Sequence, residues 1–513
     1  MSLRAEFCKH DATTHHDAMG QMTQTTAGSP PRQGEKREGV WGYLVWLGLA
    51  RLAASWGAWE TGFRALSDDD YTRVTLAQRF AEHPKIDPSG TSWLPFPFWV
   101  MGTAMKLLDP SLDVARATSS ALAIGATWLL FAAGRVWGFT DRQALAAALV
   151  ATALPVVTVL GSATVPELPT AALSAFALVA VSARSDRARR SAWSPSLLAS
   201  VAMIPATLSR YETWPVAVVV SVCAALHRDD AKWRRAVASA LPLLGPAWWI
   251  VHNRVAHGDA LSFLHRVSSY RAALGSVGTH GGPGYALALV SGCPEMLIAC
   301  CGLLFMSLRN SEDRAARRQR LKRFVPWAIG AVSLFVFLVA GDLLGGSPTH
   351  HPERALLLVW LLASFVVVDL AVLARPPRWL ALLVLPLLAI DYRSALSDRG
   401  VDRRSEETIG TQLRSLVPKG ERVFIATSDY GYFAVVAAFG RPSDSIIDQT
   451  HDPRSKDEAS LVLDHLHAAD RLSAAGAMWL VAPSTIVLPM VFRERTRDAR
   501  LAIYELEFRA DVD

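Results

Sequence analysis

"SDDDYTRVTLAQRFAEHPKIDPSGTSWLPFPFW", residues 67–99, follows the first apolar segment of the chain. It opens with a helix-start signal: Ser67 stands as an N-cap, and Asp68, Asp69 and Asp70 put carboxylates in the first turn, where the helix dipole favours them. "YTRVTLAQRFAEH" then continues as an amphipathic helix. The apolar "SWLPFPFWVMGTAMKLL" that comes next is short and carries Pro95 and Pro97 near its start, so it reads as a re-entrant or juxtamembrane helix and not as a bilayer crossing. Whether this segment crosses sets the side on which everything after it lies, and the fold turns on that reading.

The rest of the chain is built for lipid. Of its 513 residues 51% are hydrophobic and 19% charged, and the mean hydropathy is +0.23, too apolar for one soluble domain. Apolar runs recur at 41–58, 93–108, 114–137, 142–160, 165–183, 193–209, 213–227, 236–252, 284–308, 324–342, 354–374 and 378–391. Lipid offers no partner to open strand edges, so these are helices. With 93–108 left uncrossed, about eleven spans remain. The first contains Arg51, and an arginine at that depth faces a protein interior.

The net charge of +6 lies in short basic clusters between apolar runs: Lys36/Arg37, Arg135/Arg142, Arg184 to Arg190, Arg228 to Arg235, "RNSEDRAARRQRLKR" at 309–323, and Arg375/Arg378. These clusters mark the cytoplasmic side. They also make nucleic acid a poor partner. Five cysteines, at 8, 223, 293, 300 and 301, show neither metal nor disulfide spacing and read as packing residues. Residues 1–39 are polar, lack the apolar core of a cleavable signal and read as a disordered cytoplasmic tail.

The expected fold class is therefore a polytopic α-helical membrane protein with a small C-terminal extracytoplasmic α/β domain. Its membrane domain spans 40–392, with an outer first loop at 59–113, and its soluble domain spans 393–513. In the latter, "ERVFIAT", "DSIID", "GAMWLVAP" and "RLAIYELE" read as strands. "SDYGYFAVVAAFG", capped by Ser428 and closed by Gly440, reads as a helix, as does "SKDEASLVLDHLHAAD". A three-layer α/β sandwich follows, and the lack of a GxGxxG turn argues against a dinucleotide.

Residues able to do chemistry collect on the outer side of this topology. Besides capping a helix, one carboxylate of Asp68, Asp69 and Asp70 could serve as a general base, tuned by its neighbours. Glu167 in "GSATVPELPTAAL" is a helix-start glutamate after a proline, and its apolar surroundings favour a role in a cavity. Arg210 and Glu212 in "TLSRYETWP" form either an interfacial ion pair beside Tyr211 and Trp214 or part of the same site. In "GDLLGGSPTHHPERALL" the adjacent His350 and His351 splay apart and lack a third ligand spaced for zinc. Arg354 there suits a phosphate clamp at headgroup level, with snorkelling as the alternative. "WWIVHNRVAHGDALSFLHRVSSYR" adds Asn253 and further polar residues to the rim.

These stretches together resemble the GT-C class of membrane glycosyltransferases, whose relatives include protein O-mannosyltransferases, the aminoarabinose transferase of lipid A and bacterial arabinosyltransferase-like proteins. Residues 67–99 are similar to the family's first outer loop, in which an acidic pair precedes a short helix and a proline-rich apolar segment. "LPVVTVLGSATVPELPTAALSAFAL" is similar to its second, with Glu167 as the recurring acid, and "WWIVHNRVAHGDALSFL" resembles a Trp, Asn and Gly-Asp-x-Leu-x-Phe pattern of bacterial members. The resemblance covers 40–392, and the soluble tail resembles the small outer domains of many relatives.

The resemblance implies an inverting transfer of a sugar from a polyprenyl-phosphate donor to a hydroxyl acceptor on a protein, glycolipid or polysaccharide. The family's first-loop base corresponds to Asp68 or Asp69, and we take Asp69. Asp70 stands where many relatives have another residue. Asp70, Glu167, Arg210, Glu212, Asn253, His351 and Arg354 are the expected substrate-binding residues. Some relatives hold a divalent metal, Mg or Mn, between the two outer-loop acids, here Asp69 and Glu167, whereas others need none, and both alternatives stand. The expected setting is a bacterial inner membrane, with the N-terminus cytoplasmic. Two rivals are a transporter or flippase, disfavoured by the absence of internal repeats, and an inactive membrane scaffold.

Overall fold

The computed structural model describes residues 39–90, 92–183, 194–227, 230–273, 281–310, 322–344, 352–377, 380–397, 400–427, 429–448 and 465–507. Residues 1–38, where the cytoplasmic tail is expected, lie outside it, as does Ser428. Residues 41–513 make one compact unit.

Helix α1 (Val40–Glu60) turns Trp41, Trp46 and Trp56 outward and buries Arg51. As expected, that arginine faces protein. It donates from Nη1 to the Val157 carbonyl (3.1 Å) and from Nη2 to the Thr158 carbonyl (3.0 Å), Ser55 Oγ (3.0 Å) and Ser162 Oγ (3.3 Å). The guanidinium thereby fixes α1 against the helix before Glu167.

Helix α2 (Asp68–Glu82) starts at Ser67, and the Asp70 carboxylate reaches back to accept the backbone N–H of Ser67 and of Leu66, both at 3.2 Å. Its buried face packs on α3 (Phe96–Leu107). The two helices approach so closely that a Cβ on Gly102 would lie 2.8 Å from the Ala77 carbonyl oxygen. At 12 residues α3 is about 18 Å long, short of the ~30 Å hydrocarbon layer, as its prolines imply.

Next come α4 (Leu112–Trp137), α5 (Asp141–Thr152), α6 (Pro155–Ser162), α7 (Glu167–Ser182), α8 (Pro195–Thr207) and α9 (Thr213–Ala225). Helix α7 packs against α4, α8 and α9, and it is buried along nearly its whole length.

The count of about eleven spans is corrected here. Among the described residues three helices are long and apolar enough to cross: α4, Val325–Leu343 and Leu357–Ala374. Two bent pairs bring the number to five, α5 with α6 at 75° and Gly281–Ser291 with Pro294–Arg309 at 78°. Helices α7, α8 and α9 are apolar but shorter. The physical reason is helix length: the apolar runs at 165–183, 193–209 and 213–227 fold as helices of 16, 13 and 13 residues, short of the ~20 that span the hydrocarbon layer.

The C-terminal region is a five-stranded sheet in the order β2-β1-β3-β5-β4, with β1 (Arg422–Ile425), β2 (Ser445–Ile447), β3 (Ala477–Pro483), β4 (Phe492–Arg497) and β5 (Leu501–Leu506). Strand β1 pairs in parallel with β2 and β3, and β5 runs antiparallel to β3 and β4. Helices Arg404–Leu416 and Tyr432–Phe439 cover one face and Ala468–Ala475 the other, giving the expected three layers. Gly440, at φ +76°, closes Tyr432–Phe439 in the left-handed conformation. Most of "SKDEASLVLDHLHAAD" lies outside the described residues.

This layer is fastened to α2. Gln78 Nε2 donates to the Ala437 carbonyl at 2.7 Å, the Tyr71 hydroxyl donates to Glu407 at 2.6 Å, and an isolated bridge pairs Ala65 with Val401.

Candidate active site

The acid-bearing turn at the start of α2 lies beside the start of α7. Asp70 Oδ1 accepts the backbone N–H of Thr164 at 3.0 Å, three residues before Glu167. Burial pushes the Asp70 carboxyl up to about 6, against the pull of Arg354 and of the N–H groups of Thr164 and Ser67. Asp70 thus serves as cap and clasp, its oxygens committed to backbone donors.

Glu167 is buried at the first turn of α7. Its Oε1 accepts from Arg210 Nη1 at 2.6 Å and from Arg354 Nε and Nη2 at 3.0 and 2.6 Å. Arg210 also pairs with Glu212 through Nε. Burial works against the charge on Arg210, but Glu167 and Glu212 more than offset it, so the guanidinium is held above its ordinary value. Glu167 Oε2 has no hydrogen-bond partner among the described residues, and Glu167 lines a water-sized void of about 20 Å³. Four expected residues, Glu167, Arg210, Glu212 and Arg354, therefore form one bonded cluster.

A third guanidinium belongs to this site. Arg73, on α2, is buried, and its charge is felt by Glu167 and Asp69. Burial lowers its proton affinity, and the carboxylates of Glu167 and Asp69 work the other way. It stacks 4.4 Å from the centre of the Trp93 ring, yet donates no hydrogen bond among the described residues, and its Nε is buried without a partner. Sequence reading missed it because an arginine inside "YTRVTLAQRFAEH" looks like the solvated face of an amphipathic helix. The signal was its spacing: Arg73 follows Asp69 by four positions, which puts both on one side of α2.

Arg73 also lines a cavity of about 350 Å³, walled by Phe96 and Met101 of α3, Leu122 and Leu129 of α4, and Pro169 and Leu173 of α7. This is the size of a small-ligand pocket, and its lining is largely apolar, with Arg73 its one charged residue and Ser119, Thr164, Thr170 and Ser209 its other polar ones.

The remaining expected residues divide. Asp69 is exposed and makes no hydrogen bond among the described residues, while its charge reaches Arg73, Arg210 and Arg354. It faces the cluster with a free carboxylate. Asp68 is instead clamped by Arg403 at 2.8 and 2.9 Å. Asn253 is buried and donates from Nδ2 to the Trp249 carbonyl at 2.8 Å, so its amide is turned onto its own helix. His351 lies outside the described residues.

The residues present do not suit a divalent metal between Asp69 and Glu167. The Glu167 carboxylate already has Arg210 and Arg354 on one oxygen and Arg73 nearby, and those positive charges would repel a dication.

Residues 83–251 match the family model described as Dolichyl-phosphate-mannose-protein mannosyltransferase. In fold the chain is similar to ArnT from Cupriavidus metallidurans bound to undecaprenyl phosphate, at 14% identity over 90% of this chain and 98% of that one, with a TM-score of 0.57. It is also similar to the apo state of the same ArnT, at 15% identity over 90% and 97%, with a TM-score of 0.55. No curated protein matches the chain in sequence. The chain thus shares the helical membrane fold of ArnT, and the family-model match over residues 83–251 agrees with the GT-C resemblance of the sequence.

Proposed function

We propose that this protein is an inverting glycosyltransferase that moves a sugar from a polyprenyl-phosphate donor to a hydroxyl acceptor at the outer face of a bacterial cytoplasmic membrane. The observation that carries this reading is the Arg73 guanidinium, which donates no hydrogen bond among the described residues, lining the largely apolar 350 Å³ cavity within electrostatic reach of Arg210 and Arg354. A long apolar tail ending in a phosphate matches that arrangement in shape and charge. Undecaprenyl phosphate, bound by the similar ArnT, is a molecule of this kind.

In the reaction, the acceptor oxygen attacks the anomeric carbon as the bond from that carbon to the phosphate oxygen breaks. Asp69 takes the acceptor proton, and the polyprenyl phosphate leaves with the bonding electrons. Arg73, Arg210 and Arg354 stabilise the charge growing on the phosphate. Glu167 holds Arg210 and Arg354 in place before the donor arrives and limits their mutual repulsion. On this reading the guanidinium groups supply the positive charge that a Mg or Mn ion brings to some relatives.

The test uses purified protein in lipid nanodiscs with polyprenyl-phosphate [¹⁴C]mannose and, in parallel, the corresponding arabinose donor. Release of polyprenyl phosphate with transfer of label supports the proposal. Counterflow of intact lipid in liposomes without release contradicts it.

The tail site has its own check. Gly125 lines the cavity, and a Cβ there meets nothing within 4 Å. A Gly125→Phe variant is expected to fill the cavity, leave thermal unfolding unchanged, and weaken undecaprenyl phosphate binding about tenfold or more, a loss of roughly 1.4 kcal/mol. Undiminished binding would remove the tail from this cavity.

A further inference from the structure

Three adjacent aspartates open α2, and only one carboxylate is needed as a base. The structure gives each a different surrounding. Asp70 is buried and spends its oxygens on Leu66, Ser67 and Thr164. Asp68 meets a residue from the far end of the chain. The bridge between Ala65 and Val401 carries the chain past the acid turn, with the Val401 N–H donating to the Ala65 carbonyl at 3.1 Å. Two residues on, Arg403 is buried, and its Nε and Nη2 form a two-pronged pair with Asp68 Oδ1 and Oδ2. The same guanidinium is anchored from behind, Nη1 donating to Asp429 at 2.7 Å and to Glu406 at 3.2 Å. Asp69, one helical step of about 100° away, is left facing the arginine cluster.

Resting on the glycosyltransferase reading above, we propose that Arg403 is a positioning residue that selects Asp69 as the base. Its planar fork fixes the rotation of the first turn of α2 and neutralises Asp68. A single free carboxylate is then presented to the acceptor hydroxyl. A bidentate guanidinium–carboxylate pair supplies both orientation and charge, which a lysine at 403 could give only in part. Without Arg403, Asp68 would stand as a second free carboxylate beside Asp69, and nothing would single out one of them as the base. The C-terminal domain is on this account a wall of the active site.

Carbodiimide coupling of glycine ethyl ester to the full-length protein in detergent, followed by peptide mass spectrometry, reads the availability of each carboxylate. In the wild type, Asp69 should be labelled about tenfold faster than Asp68, which is held in its charge-assisted pair. In Arg403→Gln the two rates should come within about twofold, because the ion pair that set Asp68 apart from Asp69 is gone. Arg403→Lys should fall between. Equal labelling in the wild type, or an unchanged ratio in Arg403→Gln, would overturn the proposal. Should Arg403→Gln fail to fold, the wild-type ratio and the lysine variant still decide. Labelling does not depend on turnover, so this inference and the base role of Asp69 can fail separately.

Discussion

Replacing Asp69 with asparagine is expected to lower sugar transfer by about 10²–10⁴, the range ascribed to a positioned general base. The side chain is exposed and holds no hydrogen bond among the described residues, so unfolding temperature and donor binding should stay close to wild type. Asp68→Asn should behave differently, because it strips Arg403 of its two-pronged partner. Its effect should appear as a change in how the acid turn is held. The measurement is the rate of label transfer from polyprenyl-phosphate [¹⁴C]mannose under saturating donor, with thermal unfolding recorded on the same preparation. A fully active Asp69→Asn would take the base role away from this position.

Glu167→Gln should have the largest effect on stability. The carboxylate is buried and balances Arg210, Arg354 and, at longer range, Arg73. A glutamine keeps the shape, but it leaves buried guanidinium groups without their counter-charge. Breaking a buried pair by removing one partner costs about 3–5 kcal/mol. Thermal unfolding in detergent should show that loss, and added undecaprenyl phosphate should restore part of it, because a bound anion stabilises the folded state by mass action. A variant as stable as wild type would mean that the cluster is hydrated and weakly coupled.

Sequence showed most where a residue's own neighbours decide its role. The helix start at Ser67, the helix-start glutamate at 167, the inward-facing Arg51 and the short apolar strands β1, β2, β3 and β5 all follow from local chemistry. Arg403 and Arg116 stayed hidden because their partners, Asp68 and Glu407, lie hundreds of positions away and no local pattern marks the pairs. Arg73 was hidden by its periodicity, which is that of a solvated face. Strand β4, "FRERTR", is a polar edge strand without the apolar alternation that announces a strand. The span count went astray because apolar composition does not show how many residues of a run are helical, and α7, α8 and α9 come out shorter than their runs.

The most direct test is a cryo-EM structure of the full-length protein in nanodiscs with undecaprenyl phosphate. The account predicts the phosphate within hydrogen-bonding distance of Arg73 and Arg354, the isoprenoid chain between α3, α4 and α7, and the Asp69 carboxylate open toward the phosphate. A lipid phosphate bound elsewhere, with Arg73 unengaged and the cavity closed, would contradict it.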